Sequence, residues 1–305
     1  LRPVLPVLSR KNMTIPFLSC DEMLSHPENA SRSLAELAID FESERGGLKR
    51  DTVLKKMIDI VKLLQRSVME GVAGTQFEDR ILHFQCGKFK DEMDAGRLLD
   101  AGMLNRMVLY VTALMEVKSS MGIIVAAPTA GSCGALPGTC LAAGEAMGWS
   151  DETMARGMLA AGLIGIFVTA RSSFAAEVTG CQGETGVGAA MAAAALVDMN
   201  GGTVNQAMAA ASMALQNTLG LVCDPVANRV EVPCLGRNIS AAANALTSAN
   251  VALADFAEVI PLDEVIATHN TIGRSLPREL RCTCLGGLSI TKSAKKIELQ
   301  LARTD

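Results

Sequence analysis

The amino-acid sequence predicts an all-α fold, a compact bundle of closely packed Ala/Gly-rich helices, on three observations. Apolar residues recur at the three-to-four spacing of an amphipathic helix through most of the chain. Sustained β-branched alternation is confined to two short runs, Ile123–Val125 and Val230–Val232. Between residues 154 and 257 the helical runs are built mainly of Ala, Gly, Ser and Met, side chains small or pliable enough to let backbones approach closely.

In chain order, Ser19 to Asn29 carries a short polar helix signal. Leu34, Leu37, Ala38 and Phe41 then give an amphipathic helix that stops at Gly46-Gly47. A second helix starts at Asp51, an expected N-cap, and carries Val53, Met57, Ile60, Val61 and Leu64 towards Met69. Residues 73–96 have no clean period. A long helix is expected from Leu98 to Met121, feeding an apolar run that breaks at Pro128-Thr129-Ala130-Gly131-Ser132. After Ser150 or Asp151 as N-cap, helical runs follow over Met154–Val168, Gly186–Asp198, Thr203–Leu221 and Ile239–Ala257, and a last helix over Leu262–Ile272. The chain divides into a vector-derived or disordered leader (1–12) ahead of Met13, an N-terminal helical region (13–97), a helical core bearing the chemistry (98–290) and a basic tail (291–305).

With 305 residues and 49% apolar composition the chain can bury one large core or two modest ones. A net charge of −4 and 3% aromatic residues supply neither the basic footprint nor the stacking platforms that nucleic acid requires. Nine cysteines at irregular spacing in a long chain do not form a secreted disulfide framework, so a reducing, cytoplasmic setting is expected. The leader is apolar but interrupted by prolines and followed by basic residues, the wrong order for a signal peptide. The longest apolar run, Met158–Ala170, falls short of the roughly 20 residues needed to span a bilayer, so no membrane partner is expected.

Chemistry is concentrated in Cys181, Cys223 and Cys234, each beside a Gly or Pro that places it at a helix end. Thiols at helix N-termini are readily deprotonated, and thiolates bind metals. Three such positions without a nearby histidine suit an iron–sulfur cluster with one open iron better than a closed zinc site, which wants four ligands. The alternative is that all three are small buried hydrophobes. Cys282 and Cys284 stand too close together for both to ligate one cluster; either could be a fourth ligand, and neither is expected to be. The pair His83 and Cys86 is read as incidental. The break at Thr129–Ser132 points unpaired backbone N–H groups at an anion, or is simply a tight turn between buried helices.

These motifs occur together in order: Met115-Glu116-Val117-Lys118-Ser119-Ser120-Met121-Gly122 running into Val125-Ala126-Ala127-Pro128-Thr129-Ala130-Gly131-Ser132, then Gly180-Cys181-Gln182-Gly183-Glu184, Cys223-Asp224-Pro225-Val226, Val232-Pro233-Cys234 with Arg237-Asn238, and Arg281 with Gly286-Gly287-Leu288. The set, spanning Leu98 to Leu288, resembles the iron–sulfur L-serine dehydratases, as the α chain of the two-chain form or the catalytic domain of the one-chain form. The resemblance implies a [4Fe–4S] cluster on Cys181, Cys223 and Cys234. It also implies conversion of L-serine to pyruvate and ammonia without pyridoxal phosphate, and a separate β chain or a homo-oligomer. Thr129, Ala130, Gly131 and Ser132, with Lys118 beside them, would bind the substrate carboxylate, and Glu184 would support the cluster. The general base is unassigned: His83, His269 and the partner chain are the candidates. Lys118 stands where the family carries asparagine, and the segment 83–90 departs from the family's glycine-rich pattern. Threonine, cysteine or another β-substituted amino acid is therefore the alternative substrate, and a catalytically silent α-like subunit is the alternative role.

Overall fold

A computed structural model describes residues 9, 11, 13 and 15–302, and the leader expected over 1–12 lies outside them apart from Ser9 and Lys11. Among the described residues the chain is all-α: α1 (Cys20–Leu24), α2 (Leu34–Gly46), α3 (Arg50–Ala73), α4 (Cys86–Asp94), α5 (Met103–Ser119), α6 (Ala135–Met147), α7 (Asp151–Arg171), α8 (Ala176–Thr179), α9 (Thr185–Met199), α10 (Val204–Gln216), α11 (Cys234–Leu253), α12 (Leu262–Ser275) and α13 (Lys292–Leu301). Among the described residues the β-branched runs at 123–125 and 230–232 pair with nothing in a sheet, and an isolated β-bridge joins Cys223 to Arg281.

Local signals set most of the helix ends. Ser33, Ser150 and Thr203 accept the N–H of the residue three further on, and Gly47 closes α2 in the left-handed region at φ 64°. Other ends differ from expectation. α3 begins one residue before Asp51, which lies in its first turn next to an uncapped Lys49. α5 begins at Met103 and not at Leu98, because Gly102 turns the chain at φ 52° and leaves Leu99 in solvent. α10 stops at Gln216, short of Leu221, and α11 starts at Cys234, five residues before Ile239. The stretch read as a basic tail contains α13, capped by the Thr291 hydroxyl.

The core is organised around α9. Its sequence, Thr185-Gly186-Val187-Gly188-Ala189-Ala190-Met191-Ala192-Ala193-Ala194-Ala195-Leu196-Val197-Asp198-Met199, has no polar face, and nearly every residue is buried. Helices α6, α7, α10 and α11 enclose it. A second close approach joins α3 to α5, where a Cβ on Gly71 would lie 2.1 Å from the Ala113 carbonyl oxygen, so only glycine fits that crossing. α7, at 21 residues, is long and apolar enough to cross a membrane by length and composition, yet 67% of its apolar window is buried against the rest of the chain. That arrangement gathers the N-terminal ends of α6, α9 and α11 at one end of the bundle. There the loops carrying Thr129, Cys181 and Cys234 meet.

Candidate metal centre

Cys181 sits in the tight turn between α8 and α9, Cys223 in the extended segment after α10, and Cys234 in the first turn of α11; they are 2%, 2% and 6% exposed. The metal-binding atoms of Cys181, Glu184 and Cys223 all lie within 4.8 Å of one another. Cys234 is close enough for the charges of Cys181 and Glu184 to act on it. All nine cysteines are free thiols. The expectation of easily ionised thiols does not hold for Cys223 and Cys234. Burial, followed by the nearby Cys181 and Glu184, pushes Cys234 up to about 12. Cys223 is also raised, chiefly by its contacts with Cys181 and Cys282 and then by burial. A metal must therefore displace protons from these sulfurs to bind.

A cationic side chain already addresses one of them. Arg237, one turn into α11, donates from Nη1 to the Cys181 sulfur at 3.3 Å and from Nη2 to Asp224 Oδ1 at 2.6 Å. Asp224 is itself held by the Leu288 N–H on Oδ2 at 2.7 Å. The approach of that segment explains the Gly286-Gly287 motif: at Gly287, with φ 60°, a Cβ would lie 2.4 Å from Asp224 Oδ2. On its other side Arg237 borders a cavity of about 540 Å³, whose lining includes Thr185, Thr218, Ser240 and Asn244.

The Thr129–Ser132 break forms a single turn ahead of α6. Thr129 N–H donates to Ser132 Oγ at 3.2 Å, and the Thr129 hydroxyl donates to Glu184 Oε1 at 2.7 Å. The second oxygen of Glu184, expected to support the cluster, lies 3.9 Å from the Cys181 sulfur. One carboxylate ties the hydroxyl loop to the thiol group. Glycine at 131 makes room for it, since a Cβ there would meet Glu184 Oε1 at 2.6 Å. Burial raises the Glu184 pKa, opposed in part by the Thr129 hydrogen bond. The N–H groups of Ala130 and Gly131 find no acceptor among the described residues.

Asn238 locks these pieces together. Fully buried, it donates from Nδ2 to the carbonyls of Gly131 and Cys234, both at 2.9 Å, and accepts the Ala135 N–H at 3.0 Å. It therefore caps the N-terminus of α6 from another helix. Sequence reasoning quoted Arg237 and Asn238 only as motif letters; their position one turn along the helix that Cys234 opens was the signal that they point back at the site.

Lys118, in the last turn of α5, runs inward to donate to the Val230 carbonyl. Burial lowers its pKa, and Cys133, Cys234, Glu231 and Glu184 lie near enough to pull it back up. Glu231 in turn accepts the N–H groups of Ile81 and Leu82 at 3.0 and 2.9 Å, so the upstream segment is pinned beside Lys118. His83 is exposed there. His269 is fully buried between α12 and α8, with Nδ1 paired to the Ser172 hydroxyl at 2.8 Å and Nε2 without a partner. Its position is that of a packing residue. Cys282 and Cys284 face apart: Cys282 meets Cys223, whereas the Cys284 sulfur lies 3.4 Å from the Pro225 carbonyl.

Cys223, expected at a helix end, instead lies in an extended segment bridged to Arg281; with the helix-end thiols of Cys181 and Cys234, one carrying a guanidinium and joined by a carboxylate to a hydroxyl-bearing turn, it defines a candidate thiolate metal centre in an all-α enzyme. Comparison with known proteins makes the assignment specific. Residues 25–289 match the family described as serine dehydratase alpha chain, and the chain belongs to that family, as its motifs implied. A probable L-serine dehydratase alpha chain from Bacillus subtilis (strain 168) is 34% identical over 285 residues, covering 93% of this chain and 95% of that protein. The L-serine dehydratase alpha chain of Peptoniphilus asaccharolyticus is 36% identical over 263 residues, 86% of this chain and 90% of the relative. A probable alpha chain from Latilactobacillus sakei is 45% identical over 193 residues, 63% and 92% of the two chains.

Proposed function

We propose that this chain is the α chain of an L-serine ammonia-lyase. The reaction removes the α-proton and the β-hydroxyl of L-serine as water; the resulting 2-aminoacrylate takes up water to give pyruvate and ammonia. The observation that carries the reading is the single carboxylate, Glu184, linking the Thr129 hydroxyl at 2.7 Å to the Cys181 sulfur at 3.9 Å, which sets a carboxylate-binding turn directly beside a thiol group.

Cys181, Cys223 and Cys234 would hold a [4Fe–4S] cluster, and the donor set suits one: soft, buried sulfurs with a guanidinium already donating to one of them. When bound, such a cluster supplies an iron without a protein ligand, a Lewis acid for the β-hydroxyl as leaving group. The chain's own groups bind and orient the substrate. The free N–H groups of Ala130 and Gly131 receive its carboxylate, Thr129 and Ser132 line the seat, and Lys118 adds a cation beside it. Arg237, braced by Asp224, keeps Cys181 in place. A separate β chain completes the enzyme, in line with the alpha-chain names of the relatives.

The test is anaerobic reconstitution with iron and sulfide, alone and with the β chain, followed by visible spectroscopy and a pyruvate assay with L-serine. Cluster absorption with serine-dependent pyruvate supports the reading. A cluster without pyruvate would move the substrate to threonine, cysteine or another β-substituted amino acid, with Lys118 and the segment 83–90 as the reason. No cluster would leave a silent subunit.

A further inference from the structure

One pair of thiols is brought together by backbone bonds alone. After α12 the chain returns to the site, where Cys223 N–H donates to the Leu280 carbonyl and Cys282 N–H donates to the Cys223 carbonyl, both at 2.8 Å. Neighbouring chains in such a ladder run about 4.8 Å apart, inside the Cα separation of roughly 4.4–6.8 Å that a disulfide spans. The two side chains meet across it. Cys284 is turned away, its sulfur 3.4 Å from the Pro225 carbonyl. The loop is fixed there by the Leu288 N–H on Asp224 Oδ2 at 2.7 Å and the Ser289 hydroxyl on the Pro225 carbonyl at 2.9 Å.

The members of the pair differ in access. Cys282 lies in a non-helical segment and is partly exposed, whereas Cys223 is 2% exposed. Cys181, whose sulfur lies within 4.8 Å of that of Cys223, is equally enclosed and is engaged by Arg237 Nη1 at 3.3 Å and by Glu184 at 3.9 Å. A small oxidant arriving from solvent therefore reaches Cys282 first, with the Cys223 thiol directly behind it. An exposed sulfur backed by an enclosed one is the arrangement of a reactive and a resolving cysteine.

We propose that Cys282 and Cys223 form a reversible disulfide in the metal-free chain, with a hydroperoxide as the oxidant. The Cys282 sulfur attacks one peroxide oxygen and the O–O bond breaks; with hydrogen peroxide, the departing hydroxide takes the thiol proton as water and leaves Cys282 as the sulfenic acid. The Cys223 sulfur then attacks the Cys282 sulfur. The S–O bond breaks, and hydroxide leaves with the Cys223 proton as a second water. Two thiols lose two electrons, and the peroxide gains them. The bond holds both sulfurs at an oxidation level that a dithiol reverses, short of the sulfinic and sulfonic acids that it does not. This goes beyond the cluster reading and requires no cluster.

Two measurements on the metal-free full chain test it. In the first, the reduced and desalted protein is treated with a few equivalents of hydrogen peroxide, capped with N-ethylmaleimide, digested without reductant and mapped by mass spectrometry. The Cys223 peptide is expected to be joined to the Cys282 peptide, with the cross-link kept in Cys284→Ser, lost in Cys282→Ser and released by dithiothreitol. Cys282 oxidised to sulfinic acid beside a capped Cys223 overturns the proposal, as does a cross-link from Cys223 to Cys181 or Cys284 in its place. In the second, wild type and Cys223→Ser receive the same peroxide dose, and the sulfinic and sulfonic acids at Cys282 are quantified. The variant keeps the ladder, which uses only backbone groups, but has no resolving thiol. Its yield is expected to be several-fold higher, and equal yields refute the pairing.

Discussion

Replacing Asn238 by alanine should loosen the candidate site and the fold together, by an amount the geometry allows to be worked out. The side chain is fully buried and makes three hydrogen bonds, to Gly131 O, Cys234 O and Ala135 N. The Cys234 carbonyl keeps its helical partner after truncation, so that bond contributes only its net value of about 1 kcal/mol. The Ala135 N–H and the Gly131 carbonyl lose their partner in the interior, and an orphaned buried group costs roughly 1–3 kcal/mol. The total is about 3–7 kcal/mol, a large share of the roughly 5–15 kcal/mol that holds a typical domain. Urea unfolding of the metal-free chain, followed by far-UV circular dichroism, would register it as a lower midpoint. Asn238→Asp gives the sign control. At neutral pH it sets a carboxylate against two carbonyl oxygens, and its penalty relative to wild type should shrink near pH 4, where a protonated Asp can donate again. A midpoint for Asn238→Ala within about 0.5 kcal/mol of wild type would refute the reasoning, because a surface-like substitution behaves that way.

Four further outcomes are expected. Ser at 181, 223 or 234 should each abolish cluster absorbance, whereas Cys20→Ser and Cys140→Ser, distant from the thiol group, should retain it; a cluster surviving in any of the first three removes that ligand. Lys118→Met keeps the buried stem but deletes the ammonium. Loss of a charge-assisted bond to the substrate, about 1.5–3 kcal/mol, should raise KM by roughly tenfold to a hundredfold with little change in kcat, and an unchanged KM would exclude a carboxylate contact. His269 is held neutral because burial lowers its pKa below the ordinary 6.5. The unfolded chain therefore takes the proton first, so stability present above about pH 6.5 declines as pH falls below it, and His269→Gln should flatten that part of the melting-temperature profile. Gly287→Ala should destabilise the chain by more than the roughly 1–2 kcal/mol of a left-handed alanine alone, since its Cβ also displaces Asp224 and with it Arg237; thermal melting of the variant would show it.

Much of the helical map was readable because its determinants are local. The caps at Ser33, Ser150 and Thr203 and the stop at Gly47 are set by residues within one turn of the boundary. Where local signals were absent or misleading, the reading slipped. Asp51 looked like a cap but lies within the first turn, and the periodic residues before Gly102 stayed outside α5, because a backbone at positive φ overrides apolar spacing. Helix α4, with no capping side chain and a mostly charged surface, gave little pattern to read.

The sequence by itself determined the fold class, the family and the placement of Cys181 and Cys234 at helix ends, because each is written in residue type and short spacing. Tertiary structure alone decided which side chains meet. Glu184 reaches Thr129 across 55 positions, Asn238 reaches Gly131 across 107, and Cys282 reaches Cys223 through a backbone ladder that no spacing announces. These encounters depend on how closely small-residue helices pack around α9 and on where that packing brings the loops at their ends. Such long-range geometry leaves no periodic trace in the chain.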